Sequence, residues 1–423
     1  MERRVFLGTL AAGTAALNRR ASGSSGADPL RVGLIGCGWY GGVDLDAAYK
    51  AGGVEVVALC DVDREHLDKM AQKVAGQQPS APRTYADWRA LLDHDGLQAV
   101  VIATPPHWHA LPFIDACRRG FDIYCEKPLA YDVREGQAMV EAARASGRVV
   151  QVGFQRRQSE AIRQAARYIA DGGPGRIVSV GAQIHYAPEL VDNTPQDPPP
   201  HLDWDAWCGP APKLPYSPQV GHFHWRLEKA YGNGHLVDWG IHWVDTVRTV
   251  LGLGMPRSVR AAGGLYGLTG RITTPDLLTA HFEFDECPLV WSHRIFGAAE
   301  YTPATNIGMF FYGERETIFL NDGRYEVIPR AKDGERRVVE PKGDAQTAHV
   351  AEWLDAVRTR GTVSCPPEDA FRSTATVQLA MIALGAGGRL DWDATSGEVR
   401  GNPEGTAALK RDYRAPFVHP WRG

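Results

Sequence analysis

The sequence predicts an α/β protein in two parts, a doubly wound parallel sheet followed by an α/β domain with a large open, mainly antiparallel sheet. Three observations predict it. An apolar strand over 32–35 runs into Gly36-Cys37-Gly38-Trp39-Tyr40-Gly41, a G-x-G-x-x-G turn that opens a helix. From residue 30 to about 155, β-branched apolar runs alternate with amphipathic segments, the pattern of parallel strands joined by crossover helices. After Gln155 the pattern changes, and strands begin to follow one another through turns.

Taken in order, strands are predicted over 54–60, 97–104, 123–126 and 149–153, with helices over 64–74, 111–119 and 133–145. A helix over 160–170 leads through Gly-Pro-Gly to a half-buried strand over 176–186. Residues 187–225 are rich in proline and aromatics, including Trp204, Trp207, Tyr216, Phe223 and Trp225; they read as a surface loop pinned by its aromatics or as a substrate wall. A helix over 234–251 follows, then strands over 258–264, 279–284, 289–295, 306–312 and 316–321. Helices over 347–360 and 370–384 close this domain, and the tail from 393 is irregular.

A chain of 423 residues with 44% hydrophobic and 23% charged residues is an ordinary globular protein with room for two or three domains. A formal charge of −4 and the absence of long basic runs exclude a nucleic-acid partner. At the N-terminus, Arg3-Arg4 precede the apolar run 5–17 and a small, polar stretch over 21–26, the pattern of a twin-arginine export signal. The apolar run is too short for a stable membrane span, so an extracytoplasmic or periplasmic location is expected. Seven dispersed cysteines without a C-x-x-C pair argue against a disulfide framework and a zinc site; Cys37, Cys60 and Cys125 read as core residues.

Several constellations carry chemistry. Gly36, Cys37, Gly38, Trp39 and Tyr40 form a turn where backbone approaches a pyrophosphate at a helix N-terminus, and Asp61, at the end of the second strand, suits ribose hydroxyls. A carboxylate there repels a 2′-phosphate, which favours NAD. Arg64 follows it as a further cofactor contact. Thr104-Pro105-Pro106-His107-Trp108-His109 leaves a strand at its carboxyl end; His107 reads as a loop histidine, and Thr104, Pro105 and His109 as cofactor contacts. In Glu126-Lys127-Pro128 the proline holds Lys127 extended at the sheet edge, where a partly buried ammonium orients a substrate hydroxyl. Asp238 and His242, four apart on a predicted helix, share one face; they are an acid/base pair, a helix-surface pair or two metal ligands. Gly232, Gly234 and Gly240 favour the first reading by clearing space for a ligand or a neighbouring strand. No metal is expected, because His185, His222 and His224 fit no standard ligand spacing.

These motifs, in this order and spacing, resemble the Gfo/Idh/MocA oxidoreductase family, and the resemblance covers most of the chain. It implies a leader and linker over 1–28, an NAD-binding Rossmann domain over 29–155, a substrate and oligomerisation domain over 156–392 and a tail over 393–423. It further implies Lys127 beside the reacting hydroxyl, Asp238 on the substrate and His242 as acid/base, with Glu126 and Lys127 also touching NAD. Gln155, Arg156 and His224 join Asp238 and His242 in binding substrate, and a homo-oligomer, dimer or tetramer, is expected. The twin-arginine start, the segment from Gln151 to Arg157 and the tryptophan-rich insertion resemble the exported, carbohydrate-associated members. The expected reaction is oxidation of a hydroxyl on a sugar, polyol or glycoside with a retained, recycled NAD. Alternatives are glycoside hydrolysis by transient oxidation, elimination and re-reduction, or sugar binding with NAD as a purely structural group.

Overall fold

The computed structural model describes residues 28–297 and 303–422. The twin-arginine segment lies outside these residues. Strands β1 (Leu30–Ile35), β2 (Val54–Cys60), β3 (Arg83–Tyr85), β4 (Ala99–Ile102), β5 (Asp122–Cys125) and β6 (Val150–Val152) form one parallel sheet in the order β3-β2-β1-β4-β5-β6. The central strands are continuously apolar because helices cover both faces, α1 (Trp39–Ala51), α2 (Arg64–Ala75), α3 (Ala110–Arg119) and α4 (Val133–Ser146) among them. β1 pairs with both β2 and β4, so the chain leaves it towards opposite sides and a crevice opens at the carboxyl ends of these strands. The edge strand β3 escaped the sequence reading; it has three residues, none of them buried.

The second sheet has ten strands. In chain order they are β7 (Ile177–His185), β8 (Ser258–Gly264), β9 (Leu277–Glu283), β10 (Pro288–Arg294), β11 (Ile307–Gly313), β12 (Glu316–Leu320), β13 (Tyr325–Pro329), β14 (Arg337–Val339), β15 (Arg389–Asp393) and β16 (Glu398–Arg400). Their order is β14-β13-β12-β11-β7-β10-β9-β8-β15-β16, antiparallel throughout except that β7 and β10 run parallel. Strict alternation along β10 buries Leu289, Trp291 and His293 on one face. Helices α5 (Glu160–Ala170), α6 (Ile241–Leu251) and α8 (Pro367–Gly385) contribute to that core.

Two placements differ from the sequence reading. Helix α7 (Ala345–Thr359), expected to close the second domain, packs Val350, Trp353, Leu354 and Val357 into the core of the parallel sheet beside Leu45 and Ala48. Its periodicity marks an apolar face without saying which sheet that face meets. The tail expected to be irregular contributes β16 and then returns to the first sheet, where Arg411 donates to Glu135 Oε1 (2.8 Å) and to the His107 carbonyl (2.7 Å) and His419 meets Asp132 (3.0 Å). All seven cysteines are buried and free, as expected of core residues.

A buried ion pair ties the two sheets together. Arg157, just after β6, donates from Nε to Asp245 of α6 (2.9 Å), and its Nη1 meets Asp369 at the start of α8 (2.7 Å). The Arg157 and Asp245 side chains are only 4% and 2% exposed. Arg157→Ala strands the Asp245 carboxylate without its cation, and the expected loss in urea unfolding is about 3–5 kcal/mol.

Candidate active site

The glycine turn has the geometry its sequence requires. Gly36 sits at φ 99°, and a Cβ there would fall 2.7 Å from the Ala103 carbonyl carbon. A Cβ on Gly41 would fall 2.1 Å from the Gly36 oxygen, so the third glycine lets α1 pack against the turn. Above Gly38 the space is open: an added Cβ meets only His66 Nδ1, at 3.9 Å. No side chain caps the helix, so the first amide groups of α1 face that opening. This is a cradle for a pyrophosphate, and the buried, unpartnered oxygens Thr104 Oγ1, Glu126 Oε1 and Gln155 Oε1 offer further polar contacts for a dinucleotide. Asp61 lies at the turn as expected, with its carboxylate accepting from Cys37 N (2.7 Å) and Asp63 N (2.8 Å). Burial raises its pKa despite these hydrogen bonds. Arg64 is exposed beside it.

Residues 187–232 close over this edge. Trp204, Trp207, Trp225 and Tyr231 form their own small core with Leu202, Cys208 and Ala211, which bears out the loop pinned by its aromatics. The insertion then docks on the carboxyl ends of the parallel strands. Asp203 N donates to Val62 O (3.1 Å), Arg64 N to His201 O (3.0 Å), and Trp108 Nε1 to Trp207 O (3.0 Å). Phe223, 52% exposed, leans on Trp39, 65% exposed, at a ring separation of 5.9 Å. His107 bonds the Trp207 carbonyl (2.9 Å), a docking role.

His109 is fully buried beneath the crevice, with its two ring nitrogens on the carbonyls of Pro128 (2.8 Å) and Thr104 (2.7 Å), contacts that staple the loop there.

At the inner end of the crevice, Lys127 reaches Asp238 through Oδ1 (3.0 Å) and the main-chain carbonyl (3.1 Å). The other oxygen of Asp238 meets Arg226 Nε (3.0 Å), from the insertion. Burial disfavours the charged carboxylate, but Lys127 and Arg226 outweigh it and hold the Asp238 pKa down to about 2. His242 is 5% exposed, its Nδ1 has no hydrogen-bond partner, and burial, then Arg156 and Lys127, push its pKa well below the ordinary value. It is therefore a neutral imidazole.

The expected Asp238–His242 pair does not form. Residues Leu236–Gly240 make a π-turn ahead of α6, and the wider i→i+5 spacing keeps side chains four apart from stacking. Asp238 serves Lys127, and His242 is left unpaired. The neighbouring glycines admit chain: a Cβ on Gly240 would strike Trp291 of β10 at 2.8 Å, and one on Gly234 would strike Thr274, also at 2.8 Å.

The remaining expected residues are distributed around this group. Gln155 donates to the Tyr40 hydroxyl, bringing two of them together. Arg156 makes an ion pair with Asp322 (2.8 Å), lies 5.0 Å from the Trp243 ring centroid and acts on His242 by its charge. His224 is half-buried at the rim beside Phe223. Sequence reasoning missed Arg226, which carried no local signal, and His235. The His235 ring is 4% exposed, has no partner on either nitrogen and sits 5.0 Å from Tyr186; its position three residues before Asp238 was the available clue.

Glu126 is the titrating carboxyl of the site. Burial pushes its pKa up to about 7, against the pull of Lys127. The folded value exceeds the ordinary 4.5, so the unfolded chain loses this proton first and stability falls as pH rises from 4.5 through 7. Glu126→Gln cannot ionise, so a smaller drop in urea midpoint between about pH 5 and pH 8 is expected of it than of the wild type.

Residues 30–154 match the model of the oxidoreductase family NAD-binding Rossmann fold, and residues 186–261 match that of its C-terminal alpha/beta domain. The chain belongs to the Gfo/Idh/MocA oxidoreductase family. This member is 31% identical over 230 residues to levoglucosan dehydrogenase of Pseudarthrobacter phenanthrenivorans, covering 53% of this chain and 51% of that protein. It is 33% identical over 118 residues to glycosyl hydrolase family 109 protein 1 of Shewanella sp. MR-4, covering 27% and 26%. The matches thus span about half or less of these curated relatives. Its fold is that of a levoglucosan dehydrogenase solved with NADH and levoglucosan, with a TM-score of 0.68, 22% identity and coverage of 86% of this chain and 99% of that one. The cofactor of this Gfo/Idh/MocA Rossmann domain is NAD, and the glycine cradle fits it.

Proposed function

We propose that this protein is an NAD-dependent oxidoreductase acting on a hydroxyl of a sugar, polyol or glycoside. The observation that carries the reading is the Arg226–Asp238–Lys127 row beside a neutral, unpaired His242, at the crevice where an open parallel sheet places its ligand. When bound, NAD supplies the hydride acceptor. His242 takes the hydroxyl proton, since its imidazole is uncharged. Lys127 donates a hydrogen bond to the same oxygen and steadies the negative charge that develops there. Asp238 fixes the Lys127 ammonium, and Arg226 fixes Asp238 from the insertion. The same residues serve a glycosidase that oxidises transiently, eliminates the aglycone and re-reduces, a second reading favoured by the match to the glycosyl hydrolase family 109 protein.

The insertion over the glycine turn supports a retained cofactor, and the Arg3-Arg4 leader supports export of the folded protein with NAD in place. The outer face of the ten-stranded sheet, where Phe310 and the exposed Tyr312 stack at 6.1 Å, supports a homo-oligomer formed through that face. The test is incubation of the purified protein with sugars, polyols and aryl glycosides, with product analysis by mass spectrometry. A keto product or a released aglycone that depends on bound NAD supports the proposal and separates its two forms. NAD-loaded protein that converts none of them contradicts it.

A further inference from the structure

We propose that Asp63, His66 and His222 form a binding site for a first-row divalent cation, Zn²⁺ in type, that locks the insertion onto the dinucleotide domain. Asp63 caps the N-terminus of α2 with its carboxylate on the His66 amide, which sets it beside the first turn that carries His66, while His222 arrives from the insertion. Each offers one ligand atom, and these atoms all lie within 4.8 Å of one another. Tetrahedral ligands at about 2.0–2.1 Å from zinc stand roughly 3.3 Å apart, so a contraction on the order of 1 Å completes the set. Two imidazoles and a carboxylate are donors that zinc and its neighbours prefer.

The surroundings match a cation site. Asp63 Oδ1 is occupied by the amides of Glu65 and His66 and by His201 Nδ1 (3.0 Å), contacts that orient the carboxylate. Oδ2 meets only His222 Nε2, in a hydrogen bond of 2.7 Å that a bound cation would replace by opening the two atoms to roughly 3.3 Å. The His66 and His222 rings lie 4.3 Å apart, and neither has a lysine or arginine bonded to it. His222 holds φ 38°, a region sparsely populated by residues other than glycine, and such strain clusters at ligand sites. A second grouping, Asp132, Glu135 and His419, shows the contrast: there Arg411 and Tyr413 already occupy Glu135, so that cluster is an anchor for the tail.

The test uses the full-length protein, stripped with chelator, dialysed against ZnCl₂ and analysed for bound zinc by mass spectrometry. One equivalent per chain is expected, with a higher melting temperature and slower proteolysis within residues 187–232. His66→Ala and His222→Ala should each lose that equivalent, and His201→Ala should keep it with affinity reduced about 10–100-fold. Zinc-free His66→Ala should melt with the zinc-free wild type and zinc-free His222→Ala below it, because Asp63 Oδ2 loses its partner; should a variant unfold altogether, the cobalt spectrum of the wild type, with bands of a nitrogen and oxygen ligand field, decides. Wild-type protein that takes up no zinc, or His66→Ala/His222→Ala protein that takes up as much as the wild type, overturns the proposal.

Discussion

His242→Ala is expected to lower kcat by about 10²–10⁴-fold while NAD affinity stays close to that of the wild type. The imidazole is buried, uncharged and without a partner on Nδ1, so its removal takes away a proton acceptor and breaks no ion pair. Residual activity should not return with added salt, because the lost function is proton transfer and not charge screening. Lys127→Met should differ in one respect. It leaves Asp238 held by Arg226 alone, so it is expected to lower stability as well as turnover. Steady-state kinetics with a cofactor titration and a urea melt on each variant separate the two cases.

Gly41→Ala is expected to abolish NAD binding, with an affinity loss beyond what titration reads, and to cost about 1–3 kcal/mol of stability. Its new methyl would stand 2.1 Å from the Gly36 oxygen, and Gly36 cannot yield, because its amide is held by Cys60 O at 2.9 Å and its own flank abuts Ala103. Gly38→Ala is the informative companion. Its methyl meets only His66 Nδ1 at 3.9 Å, so the folded protein should keep its stability and lose affinity solely through the space that the pyrophosphate requires. Calorimetric NAD titration beside urea unfolding measures both effects.

How much of this was legible depends on how local the governing physics is. The glycine turn, Asp61 and the strand run from β1 to β6 follow from short-range rules of turn chemistry and burial, and the sequence reading found them, short β3 excepted. Lys127 and Asp238 were both recognised, but their contact was not, because it depends on a π-turn whose hydrogen bonding leaves no mark in composition. Arg226 was invisible for the same kind of reason: it matters only after the insertion folds back over the crevice. The loop-stapling contacts of His109 were not legible either, since a histidine at the carboxyl end of a strand suits a cofactor contact and a loop staple equally well. Helix α7 shows the limit at the level of packing, where an apolar face is readable and its partner is not.

With NAD bound at Gly36–Gly41 as the hydride acceptor, Lys127, Asp238 and His242 are proposed to hold and deprotonate the substrate hydroxyl. Rapid mixing of the NAD-loaded wild type with sugars and polyols, followed at the near-ultraviolet absorbance of reduced nicotinamide, tests this proposal most directly. A transient rise in that band is expected with at least one substrate in the wild type and none in His242→Ala carrying the same amount of NAD. A rise of equal rate and amplitude in His242→Ala, or no rise in the NAD-loaded wild type with any sugar or polyol that it binds, would contradict it.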